Sequence, residues 1–226
     1  MASPTRKPLF VLSIDTEGDN YWKRTGDLSV NNLKYIPRFQ LFCESHGVKP
    51  TNLLSYEVAA NPDFVGYINE VVRAENAEIG MHLHAWNSPP AYPLTSNDDK
   101  NHPFAIEYPL QILDAKIGRI TDLLESVTNK KMISHRAGRW AINSHYLQLL
   151  ARHGYLIDSS VTPKLSWSKD GSLSLKLKDL ALDYSAYPLD PYFVDLDFPW
   201  RSGDTRFLEL PISVIKTRST ALAKWL

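Results

Sequence analysis

The alternation of apolar and polar residues is most regular in the middle of the chain. Residues 78–86 read EIGMHLHAW, so isoleucine, methionine and leucine alternate with glycine and two histidines. A period of two predicts a β-strand, and it places His82 and His84 on one face with the apolar side chains on the other. Two neutral imidazoles on one face are half of a metal site, although a surface strand with two polar positions gives the same pattern.

Apolar runs and amphipathic stretches alternate along much of the chain. Apolar runs predict further strands at residues 9–14, 50–55, 131–135, 155–157 and 207–210, and apolar residues at helical spacing predict helices at residues 33–45, 61–74, 108–126 and 143–153. Strands that alternate with helices indicate a parallel sheet with right-handed crossovers. We therefore predict one α/β domain over residues 1–226, a (β/α) barrel that is deformed or incomplete, because six strands do not close an eight-stranded barrel.

Several stretches lack a clear period. Residues 56–61 are expected to be a loop, and the long polar stretch at residues 85–109 is typical of a lid, a binding loop or a disordered segment. Residues 165–204 mix prolines, aromatic residues and acids, and either line a groove or form hairpins and loops packed on the barrel. Residues 219–226 resemble the start of an apolar helix, so we expect a closing segment of the barrel to be missing from this chain.

Composition narrows the class of protein. The 226 residues hold 25 Lys plus Arg and 25 Asp plus Glu, and this net charge of zero gives no reason to expect nucleic acid or anionic lipid as a partner. Cys43 is the only cysteine, so no disulfide forms within the chain, and its apolar helical surroundings predict a small core residue. Neither a signal peptide nor an apolar run of membrane-spanning length is visible, which predicts a cytoplasmic protein.

Acidic residues follow the first predicted strand directly. The run Asp15-Thr16-Glu17-Gly18-Asp19 stands at the carboxyl end of a strand, which is where (β/α) barrels keep their catalytic residues. Asp15 and Glu17 share a face if the strand continues, and Gly18 permits the chain to turn. An acidic loop that serves only solubility or turn formation is the alternative interpretation.

Other polar residues are weighed by their positions. Arg136 follows the fourth predicted strand, where it either pairs with a catalytic carboxylate or forms a salt bridge at the barrel rim. His135 alternates with Arg136 and should face the other way, so we interpret it as a packed histidine, with a ligand role as the lesser option. His102 lies in the polar stretch, and we interpret it as an ordinary loop histidine.

Three groups of residues occur in a recognisable order. They are DTEGD after the first strand, EIGMHLHAW at the third, and HRAGRW with GYLIDSS after the fourth. Together they resemble the NodB-type polysaccharide deacetylases of carbohydrate esterase family 4, over residues 9–213. The resemblance implies a deformed (β/α) barrel and the metal-dependent removal of acetyl groups from N-acetylated sugars, or a related hydrolysis of carbon–nitrogen bonds.

The resemblance also implies roles for single residues. By position, Asp15 would be the catalytic base, Arg136 would orient it, and Asp158 would be the acidic catalytic residue after the fifth strand. Trp140 resembles the aromatic wall of the substrate cleft, and Trp86 could wall the cleft that the two histidines face.

The expected metal ligands depart from the family pattern. His82 matches the first metal-binding histidine of the family. Thr16 stands where the family has a metal-binding aspartate, so we expect Glu17 to substitute for it. Trp86 stands at the second histidine, and His84 is the nearest replacement. The implied cofactor is a divalent metal ion, zinc in the first place, with cobalt or nickel as options.

The family's last motif is missing, which leaves three functions open. That motif carries a histidine general acid in a Leu-x-His context, and none follows Ser213. The chain is a deacetylase of N-acetylated carbohydrate with a truncated end or another acid, or a carbohydrate-binding relative with weakened or lost catalysis. A different metal hydrolase, such as a phosphoesterase, predicts more ligands at later strand ends, where only Asp158 is visible. A Ser-His-Asp hydrolase is not favoured, because no G-x-S-x-G motif is present.

Overall fold

The computed structural model describes residues 9–21, 27–167 and 182–215. Its strands are β1 (Ser13–Thr16), β2 (Thr51–Leu54), β3 (Glu78–Leu83), β4 (Ser134–Ala137), β5 (Ile157–Asp158), β6 (Tyr192–Phe193) and β7 (Leu208–Glu209). Its helices are α1 (Ile36–Ser45), α2 (Tyr56–Ala59), α3 (Pro62–Arg73), α4 (Asp98–Asn101), α5 (Leu110–Thr128) and α6 (Ser144–Arg152). Short 3₁₀ turns occupy Asn31–Tyr35, Ala105–Glu107 and Gly138–Trp140.

The seven strands form one sheet in the order β1-β2-β3-β4-β5-β7-β6. Every neighbouring pair is parallel except β6 and β7, which are antiparallel. Among the described residues β1 and β6 are the two ends of this order, so the strands do not close on themselves there. The predicted α/β fold with a parallel sheet in a deformed, unclosed arrangement is confirmed.

The predicted helices form because their end signals act as expected. Asn61 accepts a hydrogen bond from the Phe64 amide at 3.0 Å at the start of α3, and Asn143 accepts one from the Tyr146 amide at 2.9 Å at the start of α6. α5 ends at Asn129, whose φ of 53° is the left-handed conformation that asparagine tolerates. Helices α3, α5 and α6 then bury apolar faces in the core, through Phe64, Ile68, Ile117, Leu124, Leu147 and Leu150.

The first strand begins later than the sequence predicts. Leu9 is 91% exposed, and β1 starts further along the chain. The ladder between β1 and β2 opens where the Thr51 amide donates to the Leu12 carbonyl at 2.9 Å. The prediction of a buried strand over residues 9–14 is therefore wrong for residues 9–12, which precede β1, and Ser13 and Ile14 belong to β1 but are only partly buried.

Some segments without a clear period contain regular structure. The loop predicted at residues 56–61 contains α2, and the polar stretch at residues 85–109 contains α4. The second stretch is ordered around Asp98, which accepts hydrogen bonds from the Leu94 amide at 2.8 Å and the Tyr108 hydroxyl at 3.0 Å. The pairing of β6 with β7 agrees with the hairpin interpretation. Residues 168–181 and the helix predicted at 219–226 lie outside the described residues.

Two expectations from composition have structural counterparts. Cys43 is 1% exposed in α1, which confirms its prediction as a core residue. Across residues 9–21, 27–167 and 182–215, none of the helices has the length and apolarity needed to cross a lipid bilayer.

Candidate functional site

The strand register sorts the candidate residues onto two faces of the sheet. Neighbours along a strand point to opposite faces, while register partners on adjacent strands share a face. His82 is the register partner of Arg136, whereas Met81 is the partner of His135. We call the face that carries His82 and Arg136 the site face. The face that carries His135 is the helix face, since Tyr146 of α6 contacts His135 there.

Glu17, His82 and His84, the Glu17 cluster, converge at the carboxyl ends of β1 and β3. Oε2 of Glu17 lies 3.0 Å from Nε2 of His82 and 2.7 Å from Nε2 of His84, and the two Nε2 atoms are 3.1 Å apart. Both imidazoles are buried, at 2% and 4% exposure. The structure thus brings the three predicted metal ligands together.

The two imidazoles have different surroundings. Nδ1 of His82 donates to the carbonyl of Arg136 at 3.0 Å, which leaves the lone pair of Nε2 directed at Glu17. Nδ1 of His84 is buried without a hydrogen-bond partner among the described residues. Gly138 provides the space beside it, because a Cβ at this position would lie 2.6 Å from Nδ1 of His84.

Burial and mutual contacts compete in setting the pKa values of the cluster. Burial raises the pKa of Glu17, but hydrogen bonds from His82 and His84 outweigh it and hold the pKa at about 2. Burial lowers the pKa of His82, yet the Asp15 and Glu17 carboxylates raise it above its ordinary value. At His84 burial dominates, and the pKa is lowered.

The donor set of the Glu17 cluster fits a divalent cation. Without a shared cation or proton, three acceptor atoms would face each other at hydrogen-bond distance, which is repulsive. A tetrahedral zinc ion with bonds of about 2.1 Å needs its ligand atoms about 3.4 Å apart, a few tenths of an ångström more than the separations here. Two imidazoles and one carboxylate are also a ligand set of catalytic zinc sites. Thr16 lies in β1 with its hydroxyl 3.5 Å from Asn52, so it leaves the third ligand position to Glu17.

Asp15 and Arg136 form an ion pair next to the Glu17 cluster. Nη1 of Arg136 donates to Oδ1 of Asp15 at 2.7 Å, and the same oxygen lies 4.0 Å from Nδ1 of His82. Arg136 is itself held by the Ser159 carbonyl at 2.7 Å and by the Ser13 hydroxyl at 2.5 Å. The Asp15 side chain is 26% exposed, so solvent reaches this carboxylate.

Trp86 lies beside the Glu17 cluster, as the sequence suggests. Its ring centroid is 5.8 Å from that of His84, and Tyr21 packs edge-on against both rings at 4.8 Å from His84 and 5.0 Å from Trp86. These two aromatic side chains therefore form one wall around the buried imidazole.

Trp140 lies in a strained turn after β4. It stacks on Trp167 with ring centroids 5.2 Å apart, and its carbonyl accepts a hydrogen bond from the Tyr184 hydroxyl. Arg139 and Trp140 both have a φ of 56°, which is uncommon for residues other than glycine. Strain of this kind is concentrated at functional sites, which agrees with the predicted role of Trp140 as a wall of the substrate cleft. That role stays a prediction.

Asp158 lies on the helix face, in a second group with His135 and Glu209 that we call the Glu209 cluster. The three are register partners across β4, β5 and β7, and each is at most 1% exposed. Oδ1 of Asp158 lies 2.6 Å from Nδ1 of His135 and accepts from the Ser160 hydroxyl at 2.8 Å, while Nε2 of His135 lies 2.9 Å from the Tyr146 hydroxyl. The prediction of His135 as a packed histidine is confirmed. The geometry keeps Asp158 apart from the Glu17 cluster and lends no support to its predicted catalytic role.

The two carboxyl groups of the Glu209 cluster have pKa values shifted in opposite directions. Burial and the neighbouring Asp158 charge raise the pKa of Glu209 well above its ordinary value. Burial also raises the pKa of Asp158, but the hydrogen bond from His135 outweighs it and the pKa is lowered. Oε1 of Glu209 accepts from the Val161 amide at 3.0 Å, whereas Oε2 is buried with no donor among the described residues. A proton on Glu209 would remove the repulsion between the two carboxyl groups, which is the direction of the pKa shift.

Sequence reasoning missed Glu57 and Tyr21. Glu57 lies in α2, three residues after the end of β2, and its carboxylate accepts a hydrogen bond from the Gly18 amide in the loop that carries Glu17. It could have been found by the rule that singled out Glu17, since both are acids at the carboxyl end of a strand. Tyr21 follows the acidic run without any pattern that marks it. His102 contacts Glu107 at 3.1 Å, as expected of an ordinary loop histidine.

Comparisons with known proteins give matches among solved structures only. No protein-family model matches this sequence, and no curated protein matches it. A structure from Mycobacterium smegmatis, assigned as a polysaccharide deacetylase, is 18% identical with a TM-score of 0.55, over 90% of this chain and 58% of that one. A structure from Parabacteroides distasonis, assigned as a glycoside hydrolase/deacetylase, is 9% identical with a TM-score of 0.54, over 89% of this chain and 44% of that one. A carbohydrate esterase family 4 pseudoenzyme from Bacillus anthracis matches more weakly, at 16% identity and a TM-score of 0.46, over 70% of this chain and 44% of that one.

These matches concern the fold. The chain spans 58% and 44% of the lengths of the first two structures, which is less than two thirds of either. At identities of 18% and 9%, the similarity describes how the backbone is arranged. The chain therefore has the fold of these two deacetylase-type structures, which confirms the expected deformed (β/α) barrel of the polysaccharide deacetylase type.

Proposed function

We propose that this chain is a divergent NodB-type polysaccharide deacetylase, a metal-dependent hydrolase that removes acetyl groups from N-acetylated sugars. One observation carries the proposal: Glu17, His82 and His84 converge beside the Asp15–Arg136 ion pair at the carboxyl ends of the strands. The fold and the motifs DTEGD and HRAGRW support it. Zinc is the proposed metal, with cobalt or nickel as alternatives.

The residues around the site divide the work of amide hydrolysis. A divalent ion held by Glu17, His82 and His84 would polarise the acetyl carbonyl and lower the pKa of water. Asp15 accepts the proton of the attacking water at its carboxylate. The Arg136 side chain orients that carboxylate by a charge-assisted hydrogen bond, and its backbone carbonyl fixes the ring of His82. One residue thus orients both the base and a ligand.

In this proposal the sugar ring packs against the aromatic side chains beside the site. Trp86 contacts His84, so a sugar whose acetyl group faces the Glu17 cluster would pack its ring on Trp86. Trp140 is proposed as the second wall, with Trp167 stacked behind it as support.

Acetate release from an N-acetylglucosamine oligosaccharide tests the proposal, with protein purified without a histidine tag and loaded with zinc. We expect release that stops on chelation and returns with added zinc. Asp15→Asn should slow release by about 100-fold or more while zinc still binds. Asp114→Asn is the matched control, because Asp114 pairs with His153 and Arg152 on the surface and activity should persist. Release that survives chelation, or a fully active Asp15→Asn variant, would overturn the mechanism.

A carbohydrate-binding protein without catalysis is the second candidate function. It is favoured by the positions of His102, His135 and His153, because each contacts a carboxylate outside the Glu17 cluster and none contacts the cluster as a general acid would. Binding of both zinc and the oligosaccharide with no acetate release would identify this function.

The third hypothesis, a different metal hydrolase, gains no support. It predicts further ligands at the ends of later strands. The acids there, Asp158 and Glu209, lie on the helix face and are fully buried.

A further inference from the structure

Glu57 accepts four hydrogen bonds from separate parts of the chain. Its Oε1 accepts from the Gly18 amide at 2.9 Å, from the Ser55 hydroxyl at 2.5 Å and from the Tyr21 hydroxyl. Its Oε2 accepts from the Asn87 side chain at 2.8 Å. All four partners are donors, so this carboxylate joins the segments that follow β1, β2 and β3.

One of these bonds fixes the peptide group that follows Glu17. This peptide consists of the Glu17 carbonyl and the Gly18 amide. The amide donates to Glu57, and the carbonyl accepts from the Asn32 side chain at 2.9 Å. Because both polar atoms of the peptide are anchored, the direction in which the Glu17 side chain leaves the backbone is fixed as well.

Two further bonds hold the side chain that packs on His84. The Tyr21 hydroxyl donates to Glu57 and accepts from Asn87 at 3.0 Å, while the Tyr21 ring lies edge-on to His84. Nδ1 of His84 has no hydrogen-bond partner among the described residues, so apart from the contact of Nε2 with Glu17 this imidazole is oriented by packing. Tyr21 and the space at Gly138 supply that packing.

We propose that Glu57 is a positioning residue of the metal centre, fixing Glu17 through Gly18 and His84 through Tyr21. The inference rests on the proposed function, since it assigns Glu57 to the same metal site. Glu57 acts through other residues and is not itself a ligand or the base. Its removal should therefore weaken metal binding by more than any loss of stability accounts for.

An exchange of functional groups between Glu57 and Asn87 tests this role. Glu57→Gln turns an NH₂ group toward the NH₂ group of Asn87, and Asn87→Asp turns a second carboxylate toward Glu57. Each single variant should lower zinc affinity by about 10–100-fold, the usual effect of losing a group that orients a ligand. In the double variant donor and acceptor have changed places, so zinc affinity should largely return.

Glu107→Gln is the matched control. The Glu107 side chain is 5% exposed and accepts from the Phe104 amide at 2.9 Å, so it is also a buried, hydrogen-bonded glutamate. Competition with a chromophoric chelator gives zinc affinity, and urea unfolding gives stability. We expect Glu107→Gln to change stability alone. Unchanged zinc affinity in both single variants, or no recovery in the double variant, would overturn the proposal.

Hydrogen exchange of the metal-free protein separates failure of this inference from failure of the proposed function. The Gly18 amide should exchange faster in Glu57→Ala than in the wild type and at the wild-type rate in Glu107→Gln. If the wild type binds no divalent metal, the proposed function fails. The exchange rate of the Gly18 amide then decides by itself whether Glu57 fixes the peptide that follows Glu17. Unchanged Gly18 exchange in a folded Glu57→Ala variant then refutes it.

Discussion

The Glu17 cluster and the Glu209 cluster contain the same kinds of side chain on opposite faces of one sheet. In the Glu209 cluster both ring nitrogens of His135 have protein partners, and Asp158 accepts from His135 and Ser160. In the Glu17 cluster three possible ligand atoms lie within 3.1 Å of one another. The imidazole of the first cluster is paired with protein groups at both nitrogens, whereas the atoms of the second converge on one point as they would around the proposed cation.

The difference shows which property separates a binding site from a structural network. Histidine and carboxylate occur in both clusters, and the imidazoles of both are buried, so neither residue type nor burial discriminates. We infer that the arrangement of polar atoms does, because both ring nitrogens of His135 have protein partners, whereas one atom from each residue of the Glu17 cluster converges on the same point. The predictions below test this distinction, beginning with the largest expected effect.

Loss of Asp158 should act on stability and leave metal binding alone. Asp158→Ala leaves His135 and the Ser160 amide without their buried partner, and breaking such a pair costs about 3–5 kcal/mol of the free energy of unfolding. Urea unfolding measures this loss. Asp114→Ala, which removes a surface ion pair, should cost less than about 1 kcal/mol.

Zinc affinity of folded Asp158→Ala protein provides the second half of that test. We expect the wild-type value, since Asp158 lies on the other face of the sheet. A stable Asp158→Ala variant that no longer binds zinc would return Asp158 to the metal site and erase the distinction between the clusters.

Loss of a ligand should instead lower the affinity for zinc. Zinc at about 100 times its dissociation constant should raise the wild-type free energy of unfolding by about 2.7 kcal/mol. This increment should vanish in His82→Ala and in His84→Ala, because each imidazole supplies one of the three ligand atoms that the described residues bring together. Thermal or urea unfolding with and without zinc measures it.

His102→Ala is the control for the ligand variants, and it should retain the full zinc increment. A full increment in both His82→Ala and His84→Ala would contradict the metal site. Loss of the increment in the His102→Ala control would instead place His102 among the ligands.

A methyl group at Gly138 should disturb the Glu17 cluster at Nδ1 of His84, the ring nitrogen that has no hydrogen-bond partner among the described residues. The Cβ would lie 2.6 Å from Nδ1 of His84 and 2.7 Å from the Leu83 carbonyl, so Gly138→Ala should cost about 1–3 kcal/mol through overpacking and weaken zinc binding. Gly66→Ala, with nothing within 4 Å of its Cβ in α3, should instead stabilise by up to about 1 kcal/mol. Equal zinc affinity in the two variants would show that His84 is not held by this close approach.

The fold follows from the sequence wherever elements are long enough to show a period. Helices α3, α5 and α6 and the six parallel strands are predicted because spacing differs between helix and strand. The sequence does not predict β6 and α2, which have two and four residues, whereas β5 and β7 are as short as β6 but lie in the apolar runs at residues 155–157 and 207–210. The late start of β1 is invisible in the apolar run at residues 9–14, because pairing with β2 decides it.

The site follows from the sequence only in part, for a related reason. Alternation alone places His82 beside His84. Asp158 shows the limit, because register with neighbouring strands decides which face a two-residue strand presents. Glu57 collects donors from positions 39, 36 and 30 residues away, and no local pattern records such contacts.

The proton of the Glu209 cluster gives the smallest predicted effect. The folded-state pKa of Glu209 is raised above its unfolded value of 4.5, so between these two values the folded protein binds one proton more than the unfolded chain. The stability that this proton contributes is present below pH 4.5 and is lost as pH rises through the folded pKa, at about 1.4 kcal/mol per pH unit.

Glu209→Gln replaces the protonated carboxyl with an amide that does not titrate and can still donate to Asp158. Relative to the wild type, this variant should therefore gain stability as pH rises above 4.5, at about 1.4 kcal/mol per pH unit until the folded-state pKa of Glu209 is reached, measured by urea unfolding of both proteins in parallel. The two proteins differ at this position alone, so the difference between the two curves reports on Glu209. Parallel curves would mean that Glu209 holds no proton there. Without that proton, the two carboxyl groups of the Glu209 cluster would also require a positive ion between them. The two clusters would then no longer differ in this respect.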